Sequence, residues 1–220
     1  MSFRDIKLID VGVIVFDDVD FLDFVGPIEV FNAAQIPNPD TDPTKELESM
    51  YDSIPMFNTK LVSVYPQEYI TTGDGTKVVP DYSISLIENE KTFNPLVWVV
   101  PGGKGIHTIR KDDDFISWLR LSINAAHLTL SVCTGNYAVA QTGIIENEMI
   151  TTHWRHYNIF QHEFPDINLA NNVRYTETAK IVSAGGISCG IDGALRVVSR
   201  LLSEEVAQRV ADRIVYPWMD

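Results

Sequence analysis

The sequence predicts a doubly wound α/β sandwich with a mostly parallel central sheet, and three observations carry that reading. Short strands that are apolar on both faces recur, among them Val11 to Phe16, Leu96 to Val100 and Leu128 to Val132. Each runs into a turn and then a stretch with helical spacing, the alternation that builds βαβ units. The 220 residues are 45% apolar and 21% charged, enough to fill one core.

Taken in order, Lys7 to Phe16 reads as a strand covered on both sides. FDDVD (16–20) supplies a turn, and LDFVGPIEVFNAA (22–34) places Phe24, Ile28, Phe31 and Asn32 or Ala33 at helical spacing around a break at Gly26-Pro27. Residues 36–57 are rich in Pro and Asp and read as an excursion loop with a short helix at Lys45 to Tyr51, placed to cover a pocket. Thr59 to Tyr65 returns as a strand, and TTGDGTKVV carries the Asp-Gly signal of a tight hairpin, with Lys77 to Val79 as its second arm. LVWVVPGGKG is a central strand ending in a loop whose backbone can approach a ligand closely. Asp112 to Ala126 is helical, and HLTLSVCTGNYAVAQTG is a buried strand, a turn at Cys133 and a helix closed by Gly143. Met149 to Trp154 is a strand, Arg155 to Phe164 a helix, and Val173 to Glu177 with Lys180 to Ala184 a strand pair. Helices over Ile187 to Leu202 and from Ser203 to Val215 complete the pattern. No Pro/Gly-rich stretch divides residues 1–220, so a single domain is expected.

Seventeen Lys and Arg against thirty Asp and Glu give a net charge of −13, which repels nucleic acid and anionic membranes. The partner expected is a small molecule. The apolar run of the first strand is too short for a leader or a membrane span, so neither is expected there. Cys133 and Cys189 have neither CxxC spacing nor a His/Cys ligand cluster, so no disulfide scaffold or structural zinc site is expected, and a reducing cytoplasm is the expected location.

The chemistry concentrates at Cys133. A strand that delivers a cysteine to the start of a helix offers it N–H groups and a positive dipole end, which lower a thiol pKa. The N–H of Thr134 can hold developing negative charge, and a second donor is expected from Gly102 or Gly103. A buried structural cysteine is the alternative. Asp23 lies among Phe21, Leu22, Phe24 and Val25, which favours a desolvated carboxyl, although a solvated turn residue like Asp17, Asp18 and Asp20 is the plainer reading. His153, near a strand end, is a polar wall or base of the same crevice, or else a hydrogen-bonded structural histidine. Trp154 and Cys189 are read as packing, and Asp192 as a structural hydrogen-bonding residue.

LDFVGP (22–27), PGG (101–103), SVCTG (131–135), TTHW (151–154) and GGISCGID (185–192) together resemble the ThiJ/PfpI superfamily, most closely its isonitrile hydratase branch. The resemblance implies a flavodoxin-like sandwich, commonly a homodimer, with a cysteine at a nucleophile elbow and the acid of the L-D-x-x-G-P motif falling on Asp23. It also implies a Cys-Thr pair, here Cys133-Thr134, in place of the Cys-His pair of protease-like and amidotransferase-like relatives. The function so implied is cofactor-independent hydration of an isonitrile to an N-substituted formamide, with Cys133, Asp23 and Thr134 catalytic and Gly102, Gly103 and His153 lining the substrate site. Two other readings stay open: a glyoxalase-like or deglycase-like enzyme acting on reactive aldehydes, and a non-catalytic cysteine sensor of the kind fused to helix-turn-helix regulators. The absence of a basic segment before Asp220 and the charge of −13 disfavour the last.

Overall fold

The computed structural model describes residues 8–37, 44, 53–90 and 93–218. The elements in chain order are β1 (Ile9–Val15), α1 (Phe21–Ala33), β2 (Gln35–Pro37), β3 (Ser53–Pro55), β4 (Phe57–Ser63), β5 (Ile70–Thr71), β6 (Lys77–Val78), β7 (Tyr82–Ser83) and α2 (Ile84–Glu90). Then follow β8 (Val97–Val100), α3 (Ile106–Ile109), α4 (Asp113–Ala125), β9 (Leu128–Val132), α5 (Gly135–Gln141), β10 (Met149–Ile150), a 3-10 turn (Trp154–His156) and α6 (Tyr157–Glu163). The chain closes with β11 (Asn168–Leu169), β12 (Tyr175–Glu177), β13 (Ile181–Ala184), α7 (Cys189–Leu201) and α8 (Glu204–Arg213).

Seven strands form the central sheet in the order β12-β13-β9-β8-β1-β4-β7. Every pair is parallel except β12 with β13. The register sets Val11 against Val97, Val13 against Val99, and Val99 against Leu130. All of these side chains are buried, as the two-sided apolar pattern requires. Helix α1 packs on α7 and α7 on α8, while α5 packs on α3 and α4. From β1 the chain winds outward through β4 to β7, then returns to β8 on the other side of β1 and continues to β9 and β13. The strand order thus reverses between β1 and β8, and a crevice opens at the carboxyl ends of those strands.

The departures from the sequence reading have local causes. Helix α1 does not break at Gly26-Pro27 but runs through to Ala33 with Pro27 buried inside it, because the packing of its apolar face outweighs one missing N–H. The loop at 36–57 begins and ends as an antiparallel ribbon that pairs Gln35 with Pro55 and Ile36 with Ile54. The helix expected at Lys45 to Tyr51 lies outside the described residues. Edge strand β7 and helix α2 had no reading from periodicity, being too short to show a repeat. The strand expected over Met149 to Trp154 stops at Ile150. Beyond it, side-chain bonds replace the ladder: Thr151 N–H donates to Ser183 Oγ at 3.1 Å, Thr151 Oγ1 to the Ala170 carbonyl at 2.8 Å, and Thr152 Oγ1 to the Cys133 carbonyl at 2.8 Å. The tight hairpin is present as β5 and β6. Ser203 caps α8 as its sequence suggests, accepting from Val206 N–H at 3.2 Å.

Helix α5 starts hard against the end of β8. A Cβ at Gly135 would stand 2.2 Å from the Val100 carbonyl oxygen, a backbone atom of the central sheet. Gly135→Ala should therefore cost about 1–3 kcal/mol through overpacking. The measurement is the urea midpoint, and an unshifted midpoint would show that the helix is not pressed on the strand.

Candidate active site

Four chain segments meet where the strand order reverses. They follow β1, β8, β9 and β13, and they carry Asp20 with Asp23, the Pro101-Gly102-Gly103 turn, Cys133 with Thr134, and Ile187. Cys133 is the first residue beyond β9, and its φ of 58° lies in the left-handed region that side chains avoid. That conformation costs about 1–3 kcal/mol and persists only when the surroundings over-determine it. Here Cys133 N–H donates to the Ala184 carbonyl at 3.0 Å, and its own carbonyl accepts from Thr152 Oγ1 at 2.8 Å and Asn136 Nδ2 at 3.2 Å. The sulfur is thereby turned toward the crevice floor, where the N–H groups of Thr134 and Ile187 face it.

Asp23 sits in the first turn of α1 with 0% exposure. Its Oδ2 accepts from Gly102 N–H at 3.0 Å, while Oδ1 has no conventional partner. Asp20 stands at the N-cap position without capping, so its carboxylate is free to face the same point. One donor atom from each of Asp20, Asp23 and Cys133 lies within 4.8 Å of the other two, which makes them the set among the described residues whose spacing suits a metal ion. Two carboxyls and a thiol this close cannot all ionise in a site shielded from water.

Burial is the largest influence on Asp23, and with the neighbouring Asp20 charge it raises the carboxyl to about 7, against the pull of hydrogen bonds from Gly102, Cys133 and Ile187. Burial likewise raises Asp20, with His153 opposing. The thiol responds in the direction opposite to the sequence expectation. Burial and then the charge of Asp23 push Cys133 well above the usual thiol range, outweighing the Thr134 and Ile187 N–H groups. The resting state is a protonated thiol beside a carboxyl that titrates near neutrality.

A second expectation is corrected at the glycines. Gly102 N–H is committed to Asp23, and Gly103 N–H donates to Thr134 Oγ1 at 3.0 Å, so neither is a free second oxyanion donor. The donors that do face the sulfur are Thr134 and Ile187. Gly103 has another reason to be glycine: its φ is 128°, and a Cβ would meet the Asp18 carbonyl oxygen at 2.4 Å. The Thr134 hydroxyl is held on this turn, also facing the Gly103 carbonyl at 3.4 Å.

Above the sulfur lies a cavity of about 390 Å³ lined by Asp20, Gly103, Lys104, His107, Cys133, Thr134, His153, Arg155, His156 and Ile187. A larger one of about 480 Å³, around Tyr65 and Trp118, holds none of these groups. His153 lines the cavity as one of its two sequence readings proposed. Its Nδ1 accepts from Arg155 N–H at 3.4 Å, which leaves Nε2 as the protonated nitrogen of the neutral ring. Burial, with Arg155 beside it, lowers its pKa.

The sequence of residues 10–185 matches the DJ-1/PfpI family. The chain belongs to that family. Among DJ-1/PfpI relatives, isonitrile hydratase of Pseudomonas putida is 24% identical over 210 residues, spanning 94% of this chain and 78% of the hydratase. The HTH-type transcriptional regulator CdhR of Pseudomonas aeruginosa is 23% identical over 153 residues, 67% of this chain but 44% of the regulator. Among solved structures, a ThiJ/PfpI family protein from Pseudomonas syringae superposes with a TM-score of 0.76 at 17% identity, covering 98% of this chain and 78% of that one. Drosophila melanogaster DJ-1beta superposes at 0.77 with 14% identity, covering 96% of this chain and all of its own. The mostly parallel seven-stranded sheet is the flavodoxin-like fold of the DJ-1/PfpI family.

Several site residues had escaped the sequence reading. Asp20 was grouped with the solvated acids of the first turn, and only its failure to cap α1 turns it inward. Ile187 was taken as the first residue of a helix that starts at Cys189. Its φ of 36° is a rare setting for a β-branched residue, and it aims the N–H at sulfur and carboxyl together. His107 and His156 carried no motif, yet their rings stack at 5.6 Å on the cavity wall, and Tyr137 Oη lies 3.3 Å from His156 Nδ1. Asp192 and Cys189 behave as the sequence suggested. Asp192 accepts from Arg174 Nε and Tyr216 Oη, both at 2.8 Å, and Cys189 is half-buried with its thiol raised by burial.

Two outcomes follow from this electrostatics. Because Asp23 titrates higher folded than unfolded, its contribution to stability is fully present below about pH 4 and is lost as the pH rises through about 7. Against Asp23→Asn, the wild type should lose on the order of 4 kcal/mol between about pH 4 and about pH 8, read from urea titrations. A parallel pH dependence in the two proteins would mean that Asp23 is not held neutral by the fold. Iodoacetamide should label Cys133 more slowly than glutathione at neutral pH, and faster once Asp23→Asn removes the facing charge. Rapid labelling of the wild type below pH 7 would restore the low-pKa thiol.

Proposed function

We propose that the protein hydrates organic isonitriles to N-substituted formamides through a thioimidate on Cys133. The observation that carries this reading is the buried Asp23 carboxyl, raised to about 7 beside an elbow cysteine. The groups that weigh most on that thiol are Asp23, Asp20 and two backbone N–H groups, and none is a histidine. Thr134 follows Cys133 where protease-like relatives have histidine, and the hydratase similarity over 94% of the chain points the same way.

An isonitrile carbon accepts a nucleophile and a proton at the same atom, which a thiol–carboxyl pair can supply. As the sulfur bonds to the terminal carbon, ionised Asp23 takes the thiol proton and returns it to that carbon, giving R–N=CH–S–Cys133. The carboxylate then accepts a proton from water as the hydroxyl adds to the carbon, and passes it to nitrogen. Collapse of R–NH–CH(OH)–S–Cys133 expels the sulfur, which recovers the hydroxyl proton and releases R–NH–CHO. One water is consumed, and no redox equivalent is needed. Thr134 and Ile187 N–H groups face the sulfur through both steps, and the Thr134 hydroxyl fixes the Gly103 turn.

A panel of small alkyl and aryl isonitriles, with formamide release read by mass spectrometry, is the direct test. Cys133→Ala should abolish turnover, and Asp23→Asn should lower kcat by about 10²–10⁴, the range of a positioned acid/base. Full activity in Asp23→Asn would remove Asp23 from the proton path. Turnover of reactive aldehydes but no isonitrile would favour a glyoxalase-like enzyme, and thiol oxidation without any turnover the sensor reading.

A further inference from the structure

The cavity over Cys133 is divided by charge. Its floor holds Asp20 and the sulfur with Asp23 behind, and its rim holds Lys104 and Arg155. Six cations elsewhere on this acidic chain are held by carboxylates: Lys60 by Asp81, Arg110 by Glu163, Arg174 by Asp192, Arg196 and Arg200 by Glu177, and Arg209 by Glu205. Among the described residues Lys104 and Arg155 have no carboxylate partner, as is also so of Lys77, Lys111, Arg120, Lys180 and Arg213, but of these only Lys104 and Arg155 line the cavity, on a protein of net charge −13. They reach the cavity from different elements, Lys104 from the turn after β8 and Arg155 from the 3-10 turn. The Arg155 guanidinium lies over the Trp154 ring at 5.1 Å, a contact that holds the side chain without occupying its N–H fork.

We propose that the substrate of this site carries an anion, a carboxylate placed at the far end from its electrophilic carbon, and that Lys104 and Arg155 select it. Resting on the hydratase reading, the class is the isocyano carboxylic acids. The acidic floor repels the anionic end and so orients the molecule, with its reactive carbon down on Cys133 and its carboxylate up between the two cations. The wall does not compete for that role. Burial lowers His107, His153 and His156, so at neutral pH these rings are uncharged hydrogen-bonding surfaces. A cavity of about 390 Å³ suits a molecule of this kind.

The first arm of the test does not use isonitriles. Cys133 is labelled with N-iodoacetylglycine and with its neutral amide, and the acid-to-amide rate ratio is compared with that of glutathione. A ratio about threefold or more above glutathione's at low salt, falling toward it at high salt and in Lys104→Met/Arg155→Met, is expected. Lys104→Arg/Arg155→Lys, which keeps both charges, should preserve it. A wild-type ratio at or below that of glutathione, or one unmoved by the methionine pair, overturns the proposal. The second arm compares kcat/KM for 3-isocyanopropanoate and 3-isocyanopropanamide, where the acid should lead by about tenfold through KM. Hydration of both without preference would remove the anion site and leave the hydratase. Hydration of neither, with the labelling ratio as expected, would remove the hydratase and leave the anion site.

Discussion

A carboxyl buried without its full set of hydrogen bonds is the interaction on which the rest of this site depends. Asp23 has 0% exposure, one oxygen on Gly102 N–H and the other without a conventional partner. An ionised carboxylate so placed is expensive, and the protein answers by keeping it near the midpoint of its titration rather than by pairing it. No arginine or lysine enters among its main influences, which are burial, Asp20 and a few weak donors. A salt bridge there would have made a stable structural acid that holds its charge and moves no proton.

Holding Asp23 in that state takes contributions from across the sheet. Helix α1 must run unbroken through Pro27 to place its first turn over the reversal of strand order. The turn after β8 must come close enough for Gly102 to donate to the carboxyl and accept from Asp20 N–H at 3.0 Å, an approach that only a glycine at 103 permits. The elbow must hold Cys133 at positive φ, and the loop after β13 must bring Ile187 N–H between sulfur and carboxyl. The strain at Cys133 and Ile187 is carried by the neighbouring ladder and the Thr152 and Asn136 bonds, which connect the site to the sheet interior.

Much of this was legible in the sequence because the relevant signals are local. Apolar strands such as Val97 to Val100, the turn at Cys133 and the cap at Ser203 each follow from a few adjacent residues. What was not legible depends on approach between distant segments. A helix N-terminus beside a cysteine suggests a low thiol pKa, but the sequence does not show that Cys133 is only 3% exposed or that Asp23 faces its sulfur, and those two influences win. The glycine N–H groups looked free in PGG because the acceptors that take them, Asp23 and Thr134, lie 79 and 31 residues away. Likewise Met149 to Trp154 has strand propensity throughout, yet the hydroxyls of Thr151, Thr152 and Ser183 draw its second half out of the ladder and into the elbow.

The same accounting explains why a cavity with three histidines leaves the thiol to a carboxylic acid. An imidazole is useful as a base because its ordinary pKa is near neutrality, but burial in this wall lowers His107, His153 and His156 away from that range. Burial acts on a carboxyl in the opposite direction, lifting Asp23 from the ordinary acid range to about 7. One desolvated pocket therefore exchanges the two residue types: its histidines become neutral polar surface, and its aspartate acquires the titration of an imidazole. In the proposed reaction the proton must go first to the sulfur-bearing carbon and later to the nitrogen bonded to it. A short carboxyl fixed beneath that centre can serve both atoms without a ring having to swing between them. A threonine after the cysteine then suffices, since the elbow needs a hydroxyl to fix the Gly103 turn and has no vacancy for a second base.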